Sequence, residues 1–263
     1  MSGAFRRQVI ALEGRLRNCR NVLTLGVRPN FADYPPEDRR RILEAETVYY
    51  PSPFYADLLD ACGKRIFPSY HTYKCVQDKI RQTALFQMLG IPHPRTRVYY
   101  GRDPVERIQE TFRYPLIAKI PRGSALGRGV FFIENRGQLE EYCRRVHPAY
   151  IQEYLPIDRD IRVVVIGNRV VHAYWRVAAP GEYRTNIAAG GHVDLSPVPE
   201  QALRLARETA RCCGFNDVGI DICRSDAGFC VLEANMKYGR RGFREAGIDF
   251  ARLMERMIEE HEI

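Results

Sequence analysis

The segment GIDICRSDAGFCVLEAN, residues 219–235, constrains this chain more than any other. It reads as two short strands joined in a hairpin, with polar residues confined to one face. Side chains alternate along a strand, so Glu233 and Asn235 project together while Leu232 and Ala234 project the other way; Asp221 stands out from Ile220 and Ile222 in the same sense. Two carboxylates and one amide oxygen form a hard oxygen set suited to Mg²⁺, which keeps coordination positions for water and for the phosphate oxygens of a nucleotide. The chemistry implied is phosphoryl transfer. On its own, an acidic residue followed by E-x-N on a hairpin also reads as a solvated rim, so the rest of the chain has to decide.

The 263 residues, 45% apolar and 27% charged, are enough to bury a substantial core in one to three compact units. No stretch approaches the roughly twenty apolar residues of a membrane span. The start, MSGAFRRQVIALEGRLRN, is a charged amphipathic pattern without a small-residue cleavage site, so a cytoplasmic location with no membrane partner is the expectation. The eight cysteines show no C-x-x-C pair and read as reduced thiols in or near the core. A formal net charge of +8 favours an anionic partner: a nucleotide, an acidic small molecule, an acidic peptide or nucleic acid. Much of the excess is spread over apparent helices such as EDRRRILEAE, and no zinc-finger or RNA-recognition signature accompanies it, which places nucleic acid last.

After an opening helix, residues 21–27 and 47–51 read as strands, followed by a helix in FYADLLDACG and a strand in KRIFPS. Strands alternating with helices indicate a parallel sheet. One helix is expected from Lys74 through VQDKIRQTALFQMLG, stopped by Gly90 and the prolines of IPHPRT. Strands at 115–120, in VFFIE and at 150–155, with a helix around GQLEEYCRRV, suggest a small antiparallel lobe. The remainder alternates strands in DIRVVVIG, RVVHAYWRV, VGIDICR and FCVLEAN with helices at 199–213 and from about Asp249. The expected division is 1–74, a short α/β unit; 75–154, a small lobe; and 155–263, a lobe bearing the metal site.

PLIAKIPRGSALGRGV places Lys119 on a strand and Gly123, Ser124, Gly127 and Gly129 in the turn after it. Glycines let backbone amides approach phosphate oxygens, and a nearby lysine supplies charge. The loop matches neither the Walker pattern nor a dinucleotide fingerprint. Further polar residues fall at strand positions: Asp160 and Arg162 in DIRVVV, and Arg176 in HAYWRV. Arg184, Thr185 and Asn186 sit in a loop ahead of Gly190 and Gly191. Each has an alternative reading as a cross-strand pair or turn former.

Taken together, these residues resemble the ATP-grasp superfamily, and within it the RimK-like α-L-glutamate ligases. The resemblance runs from about Gln77 to the C-terminus through QDKIRQTALFQMLGIPHPRT, PLIAKIPRGSALGRGV, IQEYLPIDRDIRVVVIGNRVVHAYWR, YRTNIAAGGH, GIDI, VLEAN and AGIDFARLMERMIE. It implies an α/β chain of two α+β lobes sandwiching the nucleotide, preceded by a short Rossmann-like domain. It further implies that Lys79 and Lys119 contact the ATP phosphates, with Lys119 also near the adenine. Gln152, Glu153, Tyr154 and Leu155 would form the hinge strand reading the adenine edge, with Asp160 near the ribose. Asp221, Glu233 and Asn235 match the family's Mg²⁺ ligands, with Mn²⁺ as a substitute. Arg176 matches a cation at the transferring phosphate, Arg184 and Asn186 match the R-[ST]-N segment, and Arg162 is a weaker candidate for phosphate or substrate.

The family reaction is attack of a carboxylate on the γ-phosphoryl group, giving an acylphosphate, followed by displacement of phosphate by an amine. Magnesium and cations offset charge on the transferred group, so the protein supplies position and field. The implied partners are an amino acid such as glutamate and a carboxylate or peptide acceptor, and relatives of this kind self-associate. After the metal-binding asparagine this chain departs from the pattern with NMKYGRRG. Lys237, Arg240 and Arg241 there suggest a polyanionic or acidic-peptide acceptor if they face the cleft. Two other readings stay open: a ligase of peptide-like metabolite biosynthesis using a different amine, and a nucleotide-binding regulatory protein without turnover.

Overall fold

A computed structural model describes residues 9–123, 129–180, 182, 185 and 190–263. Among them, strands form three sheets. In the first, β1 (Val9–Ala11), β2 (Val22–Thr24), β3 (Thr47–Tyr49) and β4 (Arg65–Phe67) lie in the order β2-β1-β3-β4. Every pairing is parallel, with α1 (Pro36–Glu44) between β2 and β3 and α2 (Pro53–Ala61) making the crossover from β3 to β4. The expected opening helix is absent from the described residues. Val9–Ala11 are strand, because the apolar run Val-Ile-Ala sits between two neighbours and is largely buried, a setting that favours extended β-branched residues over a short helix.

The single helix expected from Lys74 is two, α3 (Tyr70–Val76) and α4 (Lys79–Leu89). Asp78 interrupts them: its carboxylate accepts hydrogen bonds from the Ile80 and Arg81 amides, at 3.0 and 3.2 Å, and so caps α4. Gly90, at φ 64°, stops α4 in the left-handed conformation. The second sheet is antiparallel, in the order β5-β8-β6-β7, from β5 (Thr96–Tyr99), β6 (Leu116–Lys119), β7 (Val130–Ile133) and β8 (Ala149–Glu153). With α5 (Val105–Thr111) and α6 (Arg136–Arg145) it encloses its own core around Ile108, Leu116, Ile133, Leu139 and Ile151.

The third sheet is antiparallel, in the order β11-β10-β9-β12-β13: β9 (Arg159–Ile166), β10 (Arg169–Val177), β11 (His192–Asp194), β12 (Asp217–Ser225) and β13 (Gly228–Asn235). One face packs on α7 (Glu200–Cys213) and on the first unit: Ile161, Val163, Ile220 and Ile222 share a core with Ala206, Ile10 and Val48. Part of the opposite face is covered by α8 (Arg241–Glu245), α9 (Phe250–Glu259) and Tyr238, in a second core with Tyr49 and Tyr50. Gly219 is required there, since a Cβ would lie 2.4 Å from the Cβ of Tyr238. The polar remainder of that face is the subject of the next section.

Candidate functional site

Register assembles the site. Tyr174, Arg162, Asp221 and Glu233 are successive cross-strand partners on β10, β9, β12 and β13 and form one row; Arg176 opposes Asp160 beside it, and Asn235 opposes Gly219. Strand alternation puts this set on one face while Ile161, Ile220 and Ile222 enter the core behind it. The hairpin reading of 219–235 therefore places Asp221, Glu233 and Asn235 on a common side, with the two carboxylates directly across from each other.

These carboxylates sit among cations. Arg162 grips Asp221 with two nitrogens, Nε on Oδ1 and Nη2 on Oδ2 at 3.0 Å, and donates Nη1 to the Tyr238 carbonyl at 3.0 Å. Arg176 is bidentate on Asp160, with Nε 2.7 Å from Oδ1, and its Nη2 also lies 2.9 Å from Asp221 Oδ2. Thr185 donates to Asp160. Burial alone would raise the Asp221 carboxyl, but Arg162 and Arg176 outweigh it and hold it below the ordinary aspartate value. Burial alone would lower Arg176, and Asp160 with Asp221 hold it up. Lys79, at the first turn of α4, puts Nζ 3.0 Å from Glu233 Oε1. Lys119, at the end of β6, is buried. Burial pulls its ammonium below the usual lysine value, Glu233 and Asp221 oppose that shift, and Lys79 adds to it.

Asp78 fastens the second lobe to this face. Besides capping α4 it accepts from Arg122 Nε at 2.8 Å, and the Lys79 amide donates to the Pro121 carbonyl at 3.0 Å, so both lysines are fixed relative to the chain leaving β6. Gly123 begins the glycine-rich turn at φ 70°, and Gly129 ends it with its carbonyl accepting from the Ile120 amide. Ser124 and Gly127, like Arg184 and Asn186, lie outside the described residues.

On the expected hinge, Gln152 turns into the lobe and donates to Thr96 Oγ1 at 2.9 Å, and Glu153 accepts from the Arg95 amide at 2.6 Å. Both side chains are thus engaged by hydrogen bonds to Arg95 and Thr96. Tyr154 and Leu155 follow immediately after the last paired residue of β8, with the Tyr154 ring 4.9 Å from that of Phe132. Of the three cations after Asn235, two are committed elsewhere. Arg240 donates to the Arg15 carbonyl at 2.6 Å and stacks 4.3 Å above the Phe250 ring, and Arg241 pairs with Glu245 along α8. Lys237 is exposed and within electrostatic reach of Glu13. Arg240 and Arg241 therefore leave the expected polyanion patch to Lys237, because a short helix starts at Arg241 and turns that side chain along its own axis.

Sequence reasoning passed over a second polar cluster on the same face. Asp217, fully buried, accepts from the Tyr50 and Tyr238 hydroxyls at 2.9 and 2.7 Å, and Arg15 Nε lies 3.6 Å from it among the rings of Tyr50, Tyr238 and Phe250. Two carboxylates four apart on one strand, Asp217 and Asp221, were the available signal. Asp78 could have been found as an acidic residue directly ahead of a helix.

The site residues join a lobe of antiparallel strands to a second antiparallel sheet across a set of lysines, arginines and carboxylates, which is the ATP-grasp architecture. The RimK domain ATP-grasp protein of Sphaerobacter thermophilus has this fold, with a TM-score of 0.70 at 16% identity over 95% of this chain and 98% of that one. The family model described as a RimK-like ATP-grasp domain matches residues 76–258, and the chain belongs to that family. Among curated relatives, a Ribosomal protein bS6--L-glutamate ligase of Escherichia fergusonii is 32% identical over 70% of this chain and 64% of its own length. Beta-citrylglutamate synthase B of Danio rerio is 32% identical over 63% of this chain and 43% of its own. The chain thus spans less than two thirds of the length of these relatives.

Proposed function

We propose that this chain is an ATP- and Mg²⁺-dependent carboxylate–amine ligase that forms an amide through an acylphosphate, with glutamate as the amine and an acidic small molecule or peptide as the acceptor. The observation that carries the reading is the row Arg162–Asp221–Glu233 with its flanking charges. Among the described residues, Lys79, Lys119, Arg162 and Arg176 face Asp160, Asp221 and Glu233, four cations against three anions, before any ligand is counted. A nucleotide polyphosphate is the kind of anion that such a face attracts.

The donor set fits a hard divalent cation. Asp221 and Glu233 oppose each other, Asn235 adds an amide oxygen, and no third carboxylate, histidine or cysteine completes a cage among the described residues. That leaves coordination positions for phosphate oxygens and water, as Mg²⁺ prefers. When bound, the ion would neutralise charge on the transferred phosphoryl group. Lys79, released from Glu233, and Lys119, already poorly solvated, would hold the phosphates. Arg176 and Arg162 would keep Asp221 ionised and oriented, and Arg176, 2.9 Å from Asp221, would share charge with the reacting group. Tyr154 and Leu155 would present backbone to the adenine.

The glutamate assignment is supported by the names of both relatives above, and an acidic acceptor by the net charge of +8. The test is ADP and phosphate release by the purified chain with glutamate and a panel of polycarboxylates and acidic peptides, with the amide product weighed by mass spectrometry. Release that requires both a carboxylate and an amine supports the reading. ATP binding without release under any pairing would make the chain a nucleotide-binding protein instead.

A further inference from the structure

Cys223 and Cys230 are cross-strand partners on β12 and β13, and their Sγ atoms are 3.4 Å apart. Both are free and buried. Cys223 follows Asp221 by two residues and so shares its face, and it lies within electrostatic reach of Lys119 and Asp160. Directly opposed residues of an antiparallel pair have Cα atoms about 4.5–5.5 Å apart, inside the range that a disulfide spans. The two thiols are therefore placed to bridge without moving either strand out of register, and they stand within electrostatic reach of Asp160 and Glu153, the residues expected near the ribose and the adenine.

We infer that Cys223 and Cys230 form an oxidisable dithiol, a modification site beside the metal-binding row, which a peroxide converts to an intrachain disulfide that weakens nucleotide binding. The effect on nucleotide rests on the ligase reading above; the modification itself does not. The chemistry balances with one peroxide. The first sulfur attacks the O–O bond, which breaks to give a sulfenic acid and one water. The second sulfur displaces the sulfenic oxygen as a second water, and the S–S bond forms. In total the two thiols lose two protons and two electrons, and the peroxide is reduced to water. Closure draws the sulfurs from 3.4 Å to about 2.05 Å and replaces two independent thiols by a cross-link between the two strands that carry Asp221 and Glu233, two residues from Asp221. Cys62 and Cys212 are exposed, Cys143 lies in the core of the second sheet, and Cys213, near Cys75 and Cys212, is on α7 behind the sheet rather than on the site face.

The experiment uses the full chain with C62S and C212S, which removes the exposed thiols. The protein is treated with graded hydrogen peroxide, the remaining thiols are alkylated, and the digest is mapped without reduction. The expected result is a Cys223–Cys230 linked species, lost in C223S, whose formation slows in the presence of MgADP. The dissociation constant for ADP should rise on the order of tenfold on oxidation and recover with dithiothreitol. Recovery of both cysteines as singly alkylated residues, or a disulfide that leaves ADP affinity unchanged, would overturn the inference. A reduced protein that binds no adenine nucleotide would instead remove the ligase reading, because thiol mapping needs no nucleotide.

Discussion

Asp217 and Asp221 occupy one face of one strand, four residues apart, and their surroundings differ in kind. Asp217 is closed off from solvent, and its partners come from distant parts of the chain: Tyr50 and Arg15 from the first unit and Tyr238 from the segment after β13. Two of the three are neutral hydroxyls. Asp221 takes its partners, both arginines, from the same sheet, Arg162 from the adjoining β9 and Arg176 from β10 one strand further, and beyond them stand Lys79, Lys119 and Glu233. The first carboxylate accepts two hydroxyl hydrogen bonds and pairs with one buried guanidinium, so it joins the first unit to the third sheet. The second sits in a field with more cations than anions, and under the proposed function its neighbours would exchange partners with a charged ligand. A strand can thus carry a structural charge and a working charge in the same row of side chains, separated by what each is paired with.

The contrast breaks first at Asp217. Replacing it by alanine leaves the Arg15 guanidinium buried without its counter-charge, and D217A should lose about 3–5 kcal/mol of stability in urea unfolding. A loss under about 1 kcal/mol would make this cluster no stronger than a surface pair. On the working side the balance reverses. E233Q keeps the size of a side chain that is 21% exposed, so its unfolding midpoint should stay close to that of the parent, while turnover falls by on the order of 10²–10³. Equal turnover in E233Q would remove Glu233 from the site.

Asp221 lies between these limits and adds a pH dependence. Its folded carboxyl is held below the ordinary value of 3.8 against the effect of burial, by Arg162 and Arg176. The stability it contributes is therefore complete above that value and lost as pH falls through the folded one. D221N should be less stable than the parent at pH 7 by on the order of 2 kcal/mol, and the gap should close as the pH is taken well below 3.8. A gap independent of pH would mean that shape, not charge, sets the difference. The smallest effect is expected for Y238F. It removes one hydroxyl from Asp217 but keeps the main-chain carbonyl that holds Arg162, so about 1 kcal/mol of stability should go and turnover should not change.

The same division governs what could be read from the chain. The row Asp221, Glu233, Asn235 was legible because strand period alone fixes which side chains share a face, and Lys119, Asp160, Arg162 and Arg176 fall on strands for the same reason. The Asp217 cluster was not, because Arg15 and Tyr50 reach it through tertiary packing that leaves no spacing in the sequence. Val9–Ala11 was read as helix because charged residues around it mimic an amphipathic pattern, whereas burial between two parallel neighbours decides the matter. Asp78 split one expected helix into two because its side chain offered the backbone a better cap than continuation. Thr96–Tyr99 and His192–Asp194, short strands at sheet edges, carry too few residues for alternation to register.

The account depends most on the cation-rich face of the third sheet accepting a magnesium-bound triphosphate. Titration calorimetry of the parent and E233Q with ATP, with magnesium and with a chelator in its place, tests it directly. Saturable binding by the parent that needs magnesium, and its loss in E233Q, is the predicted result; equal heats with and without the metal in both proteins would contradict it.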